Sequence, residues 1–174
     1  MNVRQIGAAR NAGAAVAAGE TLVFVDADTL ITPAHVRGVI EAMRSGAIGG
    51  GSAARFDEPV PRYAQLMIRA MGPVFRVLRL AAGSFLFCST AAFEAVGGFD
   101  LKLYASEEIA LSRALHRRGR FVVLREPVVT SGRKARTYSS REILGTWFGL
   151  LVRPWSVRDK GRLGMWYGPR RKDQ

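Results

Sequence analysis

The sequence predicts an α/β fold, a mixed sheet flanked by helices, and three observations carry that prediction. Residues 22–25 are an uninterrupted apolar run, rich in β-branched and aromatic side chains, which reads as a strand buried on both faces of a sheet. Residues 4–18 are alanine-rich and are followed by Gly19, the pattern of a helix and its C-terminal stop. Beyond them, helix-like stretches alternate with short apolar runs as far as Thr130.

Each element has its own signal. The alanines and glycines of residues 4–18 would let that helix lie close against a sheet, with Arg10-Asn11 as its polar pair, which plain expectation turns toward solvent. Gly19-Glu20 turns into the strand over residues 22–25. Thr32 is a good N-cap and Pro33 a good first helical residue, so a helix is expected to about Arg44, stopped by Ser45-Gly46, with His35 on its surface. Residues 47–55 read as a strand weakened by three consecutive glycines, which suggests close approach of another backbone or of a ligand.

Residues 62–80 are amphipathic. Arg62, Arg69 and Arg76 recur at a spacing of seven, and Tyr63, Leu66, Met67, Ala70, Met71, Val74 and Leu78 are placed opposite them. A core helix with a solvated arginine stripe and a helix lying on a membrane surface share this pattern, and sequence leaves both open. Gly72-Pro73 should kink or divide it. Residues 83–88 return to strand character, Thr90 caps a short helix closed by Gly97-Gly98, and Ser106 opens another with Glu107 and Glu108 in its first turn. Residues 121–124 and 128–130 read as two short strands. Ser139 and Glu142 form a capping box before a helix whose apolar side holds Ile143, Leu144, Trp147, Phe148 and Leu151, ended by Arg153-Pro154.

The 174 residues carry a formal charge of +12, unevenly placed. Residues 1–112 hold 10 Lys/Arg against 10 Asp/Glu, and residues 113–174 hold 16 against 4. A domain over residues 1–131, neutral as far as residue 112, followed by a basic, aromatic arm over residues 132–174 is the expected organisation. Such an arm implies an anionic partner: nucleic acid, anionic lipid or a phosphorylated substrate. Cys88 is the single cysteine, so no intrachain disulfide forms and a reducing, cytoplasmic setting is expected, with Cys88 a buried core thiol. No apolar run reaches the roughly 18 residues of a membrane span, and the first residues lack the apolar stretch of a signal peptide.

The chemistry centres on Asp26-Ala27-Asp28, two carboxylates at the end of an apolar strand, where burial without a partner is costly. In open α/β sheets, ligands bind beyond the C-terminal ends of the strands. Two hard oxygen ligands there suit Mg²⁺ or Mn²⁺, above all where the ion also bridges substrate phosphates.

Together with Arg10-Asn11-Ala12-Gly13 and Ala18-Gly19-Glu20, the run from Leu22 to Thr29 resembles the donor-site core of family 2 glycosyltransferases, which have the Rossmann-like GT-A fold of nucleotide-diphospho-sugar transferases. Ala95-Val96-Gly97-Gly98-Phe99-Asp100, Glu107-Glu108, Leu111 and Arg113-Ala114-Leu115 resemble the family's second block. The resemblance covers roughly residues 4–131. It implies a metal-dependent, inverting transfer of a sugar from a nucleotide-sugar donor to an acceptor hydroxyl. Asp28, with Asp26, would hold the ion against the donor diphosphate, and Arg10 would lie near the nucleotide. Glu107 and Glu108 would stand across the cleft, Glu108 favoured as the base. The family's usual pair is Glu-Asp, and the longer second arm here leaves open which residue takes the proton. Arg133 or Arg136 would close over the diphosphate, and the C-terminal arm would rest on the inner face of an anionic membrane, where lipid-linked acceptors reside.

Because the family begins with strands that hold the nucleobase, the resemblance also implies a chain starting after them. A partial GT-A sheet without its first strands, an open strand edge and a fragment inactive alone are the matching expectations. A dehalogenase-type phosphatase fits less well, since Leu30 stands where its motif wants Thr or Val. A nucleic-acid module fits poorly too, for zinc-finger spacing and RNA-binding aromatic signatures are absent, so no nucleic-acid partner is expected.

Overall fold

A computed structural model describes residues 5–57 and 59–168. The expected helix start at Arg4, the side chain of Leu151 and the terminal basic cluster Arg170 to Lys172 lie outside the described residues.

The chain runs α1 (Ile6–Val16), β1 (Thr21–Val25), β2 (Thr29–Leu30), α2 (Pro33–Arg44), β3 (Ala47–Phe56), α3 (Arg62–Leu78), β4 (Phe85–Ser89), α4 (Thr90–Ala95), α5 (Glu107–His116), β5 (Arg120–Thr130), α6 (Arg133–Thr137), α7 (Ser140–Val152) and α8 (Gly164–Tyr167), with two short 3₁₀ turns between the last two. The five strands form one mixed sheet in the order β1-β4-β3-β5-β2. β3 and β5 are parallel, whereas β4 is antiparallel to both β1 and β3. The carboxyl ends of β1, β3 and β5 therefore share one border of the sheet, where ligands of such folds collect.

Helices stop and start where local chemistry dictates. Thr32 and His35 build a capping box at α2, and Gly46, at φ 82°, turns the chain out of it. His35 is buried rather than on the surface, because that box and the Phe85 ring, 5.8 Å away, draw it inward. The box at α7 forms as expected, Ser139 N donating to Glu142 Oε2 at 2.9 Å and Glu142 N to Ser139 Oγ at 3.3 Å. Ser89, not Thr90, caps α4, accepting from Ala92 N at 3.1 Å. Pro73 is accommodated inside α3, which stays one helix of 17 residues.

Two strand expectations are corrected, and the glycine run of β3 resolves to close approach of neighbouring backbone. β1 is half-exposed: Leu22 is buried, but Val23 and Val25 are 45% and 38% exposed, since β1 ends the sheet and one face has no cover. Residues 120–130 form one strand, not two. Its register against β3 jumps from Ser52↔Leu124 to Ala54↔Val128, so Pro127 falls in a bulge and removes no ladder bond. Ser52 Oγ fills that bulge by donating to the Glu126 carbonyl. The three glycines of β3 admit neighbours, not a ligand. A Cβ on Gly50 would strike the Val122 carbonyl and the Phe87 ring, and one on Gly51 would meet Ala81 at 2.5 Å.

The core has three parts. Phe93, Phe99, Leu111, Leu115 and Phe121 pack with Leu22 and Cys88 under α4 and α5. Burial raises the Cys88 thiol to about 12, as befits a core residue. Val39, Ala42, Phe85, Phe87 and Val128 fill the α2 side. The third cluster joins Val60 and Ala64 of the α3 region to Ala135 and Ile143 of the basic arm, so the arm is packed against the sheet domain.

Candidate active site

Arg10 ties the site together. α1 delivers its guanidinium to the carboxyl end of β1, where Nη2 donates to Asp26 Oδ1 at 2.7 Å and to the Gly83 carbonyl at 2.7 Å. Nη1 donates to Glu107 Oε1 at 3.1 Å, and the Phe99 ring lies under Cζ at 5.3 Å. Glu107 is buried, with its side chain 5% exposed, and a carboxylate so placed requires a fixed cation. Asp26 stays 42% exposed, so one end of the bridge is sealed and the other opens to solvent.

Asn11, expected to face solvent, instead grips the Gly97-Gly98-Phe99 turn: Nδ2 donates to the Phe99 carbonyl at 2.9 Å and Oδ1 accepts from Phe99 N at 2.9 Å. Gly97 and Gly98 take φ of 81° and 70°, a conformation that favours glycine. Gln5 extends the clasp, donating to the Leu101 and Leu103 carbonyls at 2.7 and 3.1 Å. The two sequence blocks thus meet along one face of α1.

Glu108 sits at the start of α5, half-buried against the loop that precedes β4. A Cβ on Gly83 would lie 3.4 Å from its carboxyl carbon, in ordinary van der Waals contact, so the loop runs directly against the Glu108 side chain. The loop is held by Ala81 N donating to Ser112 Oγ at 3.0 Å, while Ser112 Oγ donates to the Glu108 carbonyl at 2.7 Å. Burial, then the adjacent Glu107 charge, raises Glu108 to about 7, against the opposing pull of its own backbone hydrogen bond and of Arg10. Such a group exchanges a proton near neutrality.

Asp28 occupies the turn between β1 and β2, with an exposed side chain. The turn is pinned by Thr29 N on the Asp26 carbonyl at 3.0 Å and Ser131 N on the Asp28 carbonyl at 3.1 Å. That second bond brings the start of α6 beside the aspartates. Of the α6 cations, Arg136 is engaged with Asp57 at 3.7 Å, and Arg133 is exposed. Lys134 was not foreseen from sequence. Its ammonium lies 5.0 Å from the Trp166 ring centre, and crowding lowers its pKa while Asp28 and Asp26 pull it back up. Only a tertiary contact with Trp166 could have singled it out of the run Arg133-Lys134-Ala135-Arg136.

The carboxylates fit a divalent ion in one respect. Arg10 already neutralises one Asp26 oxygen, whereas Asp28 is open, and phosphate-bridging Mg²⁺ needs only one or two protein carboxylates. Among the described residues no cluster of three or more His, Cys, Asp or Glu forms a complete protein cage.

Comparison with known proteins bears on the fold and the family. No curated protein matches the sequence. The chain shares its fold with the crystal structure of S. aureus TarS 1-349, at a TM-score of 0.56 and 15% identity, over 89% of this chain and 45% of that one. This chain thus spans less than half of that structure, and it forms a partial GT-A fold with β1 as the open border of its sheet. The family model for glycosyl transferase family 2 matches residues 2–93, a stretch that contains Arg10, Asp26 and Asp28 and stops short of Glu107 and Glu108. The chain belongs to glycosyl transferase family 2.

Proposed function

We propose that this domain transfers a sugar from a nucleotide-sugar donor to an acceptor hydroxyl, with a divalent ion and with inversion at the anomeric carbon. The observation that supports this most is the Arg10 bridge, which gathers Asp26, Glu107 and the loop beside Glu108 at the carboxyl border of the sheet. In this reading Asp28, assisted by Asp26, holds Mg²⁺ or Mn²⁺. The ion, when bound, supplies Lewis-acid stabilisation of the departing nucleoside diphosphate.

The chain's own residues do the rest. Glu108 is the base: its carboxylate accepts the acceptor's hydroxyl proton as the oxygen attacks, and a pKa near 7 suits that exchange. Glu107 stays paired to Arg10 and fixes the start of α5. Arg10 in turn holds Asp26 in place, a positioning role. Lys134, with Arg133 and Arg136, faces the diphosphate side from α6. A single displacement by the acceptor oxygen inverts the configuration. The acceptor is taken to be lipid-linked, which brings the basic arm against an anionic membrane. No helix among the described residues is long and apolar enough to cross one.

Thermal unfolding with a panel of nucleoside diphosphates tests the donor half. With Mn²⁺ and a ligand at a hundredfold excess over Kd, the Tm should rise by about 5–10 °C. The rise should vanish without the metal and in Asp28→Ala. A response that survives either change removes Asp28 from the metal role.

A further inference from the structure

α3 carries a surface that the proposed chemistry does not use. Its inner face lies on β3, where Ala64 is fully buried and a Cβ on Gly72 would lie 3.6 Å from Ala53. Sequence left open whether its outer face is a solvated arginine stripe or a membrane-surface face, and that face combines arginines with exposed apolar side chains. Leu66 is 71% exposed, Val74 45%, Val77 80% and Leu78 55%. Leu66, Ala70, Pro73 and Val77 follow the i, i+4, i+7, i+11 spacing of one helical stripe, so these side chains form a continuous row. Arg62, Arg69 and Arg76 flank that row along the whole helix, all exposed. Between Glu58 and Glu94 the sequence holds no acidic residue.

We propose that the outer face of α3 docks in the plane of an anionic lipid bilayer, its apolar row entering the headgroup boundary and its arginines meeting lipid phosphates. Charge complementarity selects this occupant. Among the described residues no carboxylate pairs with Arg62, Arg69 or Arg76, and Arg76 Nη2 reaches only the Leu124 carbonyl at 3.5 Å; such a row repels a second copy of itself, whereas an anionic leaflet complements it along the helix. Five turns of helix lying flat need no specific partner groove, only an apolar row beside a cationic one. The inference does not depend on sugar transfer, and its test contains neither donor nor metal.

The test is co-sedimentation of the full chain with phosphatidylglycerol and with phosphatidylcholine vesicles. Binding to the anionic vesicles alone is expected. Arg62→Gln, Arg69→Gln and Arg76→Gln together should weaken it by about a hundredfold, at roughly fivefold for each charge. Leu66→Ser with Val77→Ser should weaken it about tenfold, and because both side chains are exposed the variant keeps its fold. As a check that does not rely on weakened variants, Val77→Cys carrying a polarity-sensitive dye should shift to the blue on anionic vesicles, since native Cys88 is buried and unlabelled. Equal binding to neutral vesicles, no binding, or binding without a dye shift overturns the proposal. So does a lipid-free dimer that Leu66→Ser and Val77→Ser abolish.

Discussion

Glu108 is a carboxyl group whose surroundings hold its proton to about pH 7. In the unfolded chain the same group ionises in the ordinary carboxylate range, so between the two values the folded state binds a proton that the unfolded state has lost. Stability from this group is complete at low pH and is lost as pH rises toward 7. Glu108→Gln should therefore flatten the pH dependence, gaining roughly 1–3 kcal/mol on the wild type between pH 5 and pH 8. Urea unfolding of both proteins at the two pH values measures it, and parallel losses in both would show that Glu108 titrates normally. The acidic pair itself was legible in sequence because it is local. Its environment was not, since Gly83 and Arg10 approach from 25 and 98 positions away along the chain. Arg10 offered only a polar side chain in an alanine-rich helix. Nothing local distinguishes a guanidinium that bridges Asp26 and Glu107 from one that faces water.

At the scale of elements, caps and turns were the legible part, for their signals lie within four residues. The Gly97-Gly98 turn shows the limit. Two glycines announce a turn, but that the turn is clasped by Asn11 is a contact across the fold. Both residues have positive φ, yet a Cβ on Gly97 meets nothing, whereas one on Gly98 would lie 2.9 Å from Asn11 Oδ1 and 3.1 Å from the Phe93 ring. Gly97→Ala should then cost about 1 kcal/mol, from backbone strain alone. Gly98→Ala should cost about 2–4 kcal/mol, because it adds displacement of the half-buried, doubly hydrogen-bonded Asn11 amide. Urea midpoints separate the two, and equal losses would mean that the Asn11 clasp yields freely. Strand burial was misread for a related reason. An apolar run specifies a strand, but whether one face is covered depends on neighbours, and β1 has a sheet partner on one side only.

Across the whole molecule, charge divides the chain near residue 112 but packing does not. Composition sets the segment from residue 132 onward apart as a basic, aromatic arm. Yet Ile143 of α7 is buried with Val60, Ala64 and Ala135, and Tyr104 N donates to the Val157 carbonyl at 2.7 Å, so the arm closes over α3 and the loop before α5. Side chains on the two sides of α7 should accordingly differ in effect. Ile143→Ala, which opens a cavity in the shared cluster, should cost about 2–5 kcal/mol and lower the unfolding of the entire chain as one transition. Phe148→Ser, on a side chain 67% exposed, should stay within about 0.5 kcal/mol. Calorimetry reads both. A separate early transition in Ile143→Ala, with the main one unmoved, would mean that the arm unfolds independently, and that Lys134 is carried to the aspartates by a segment able to leave them.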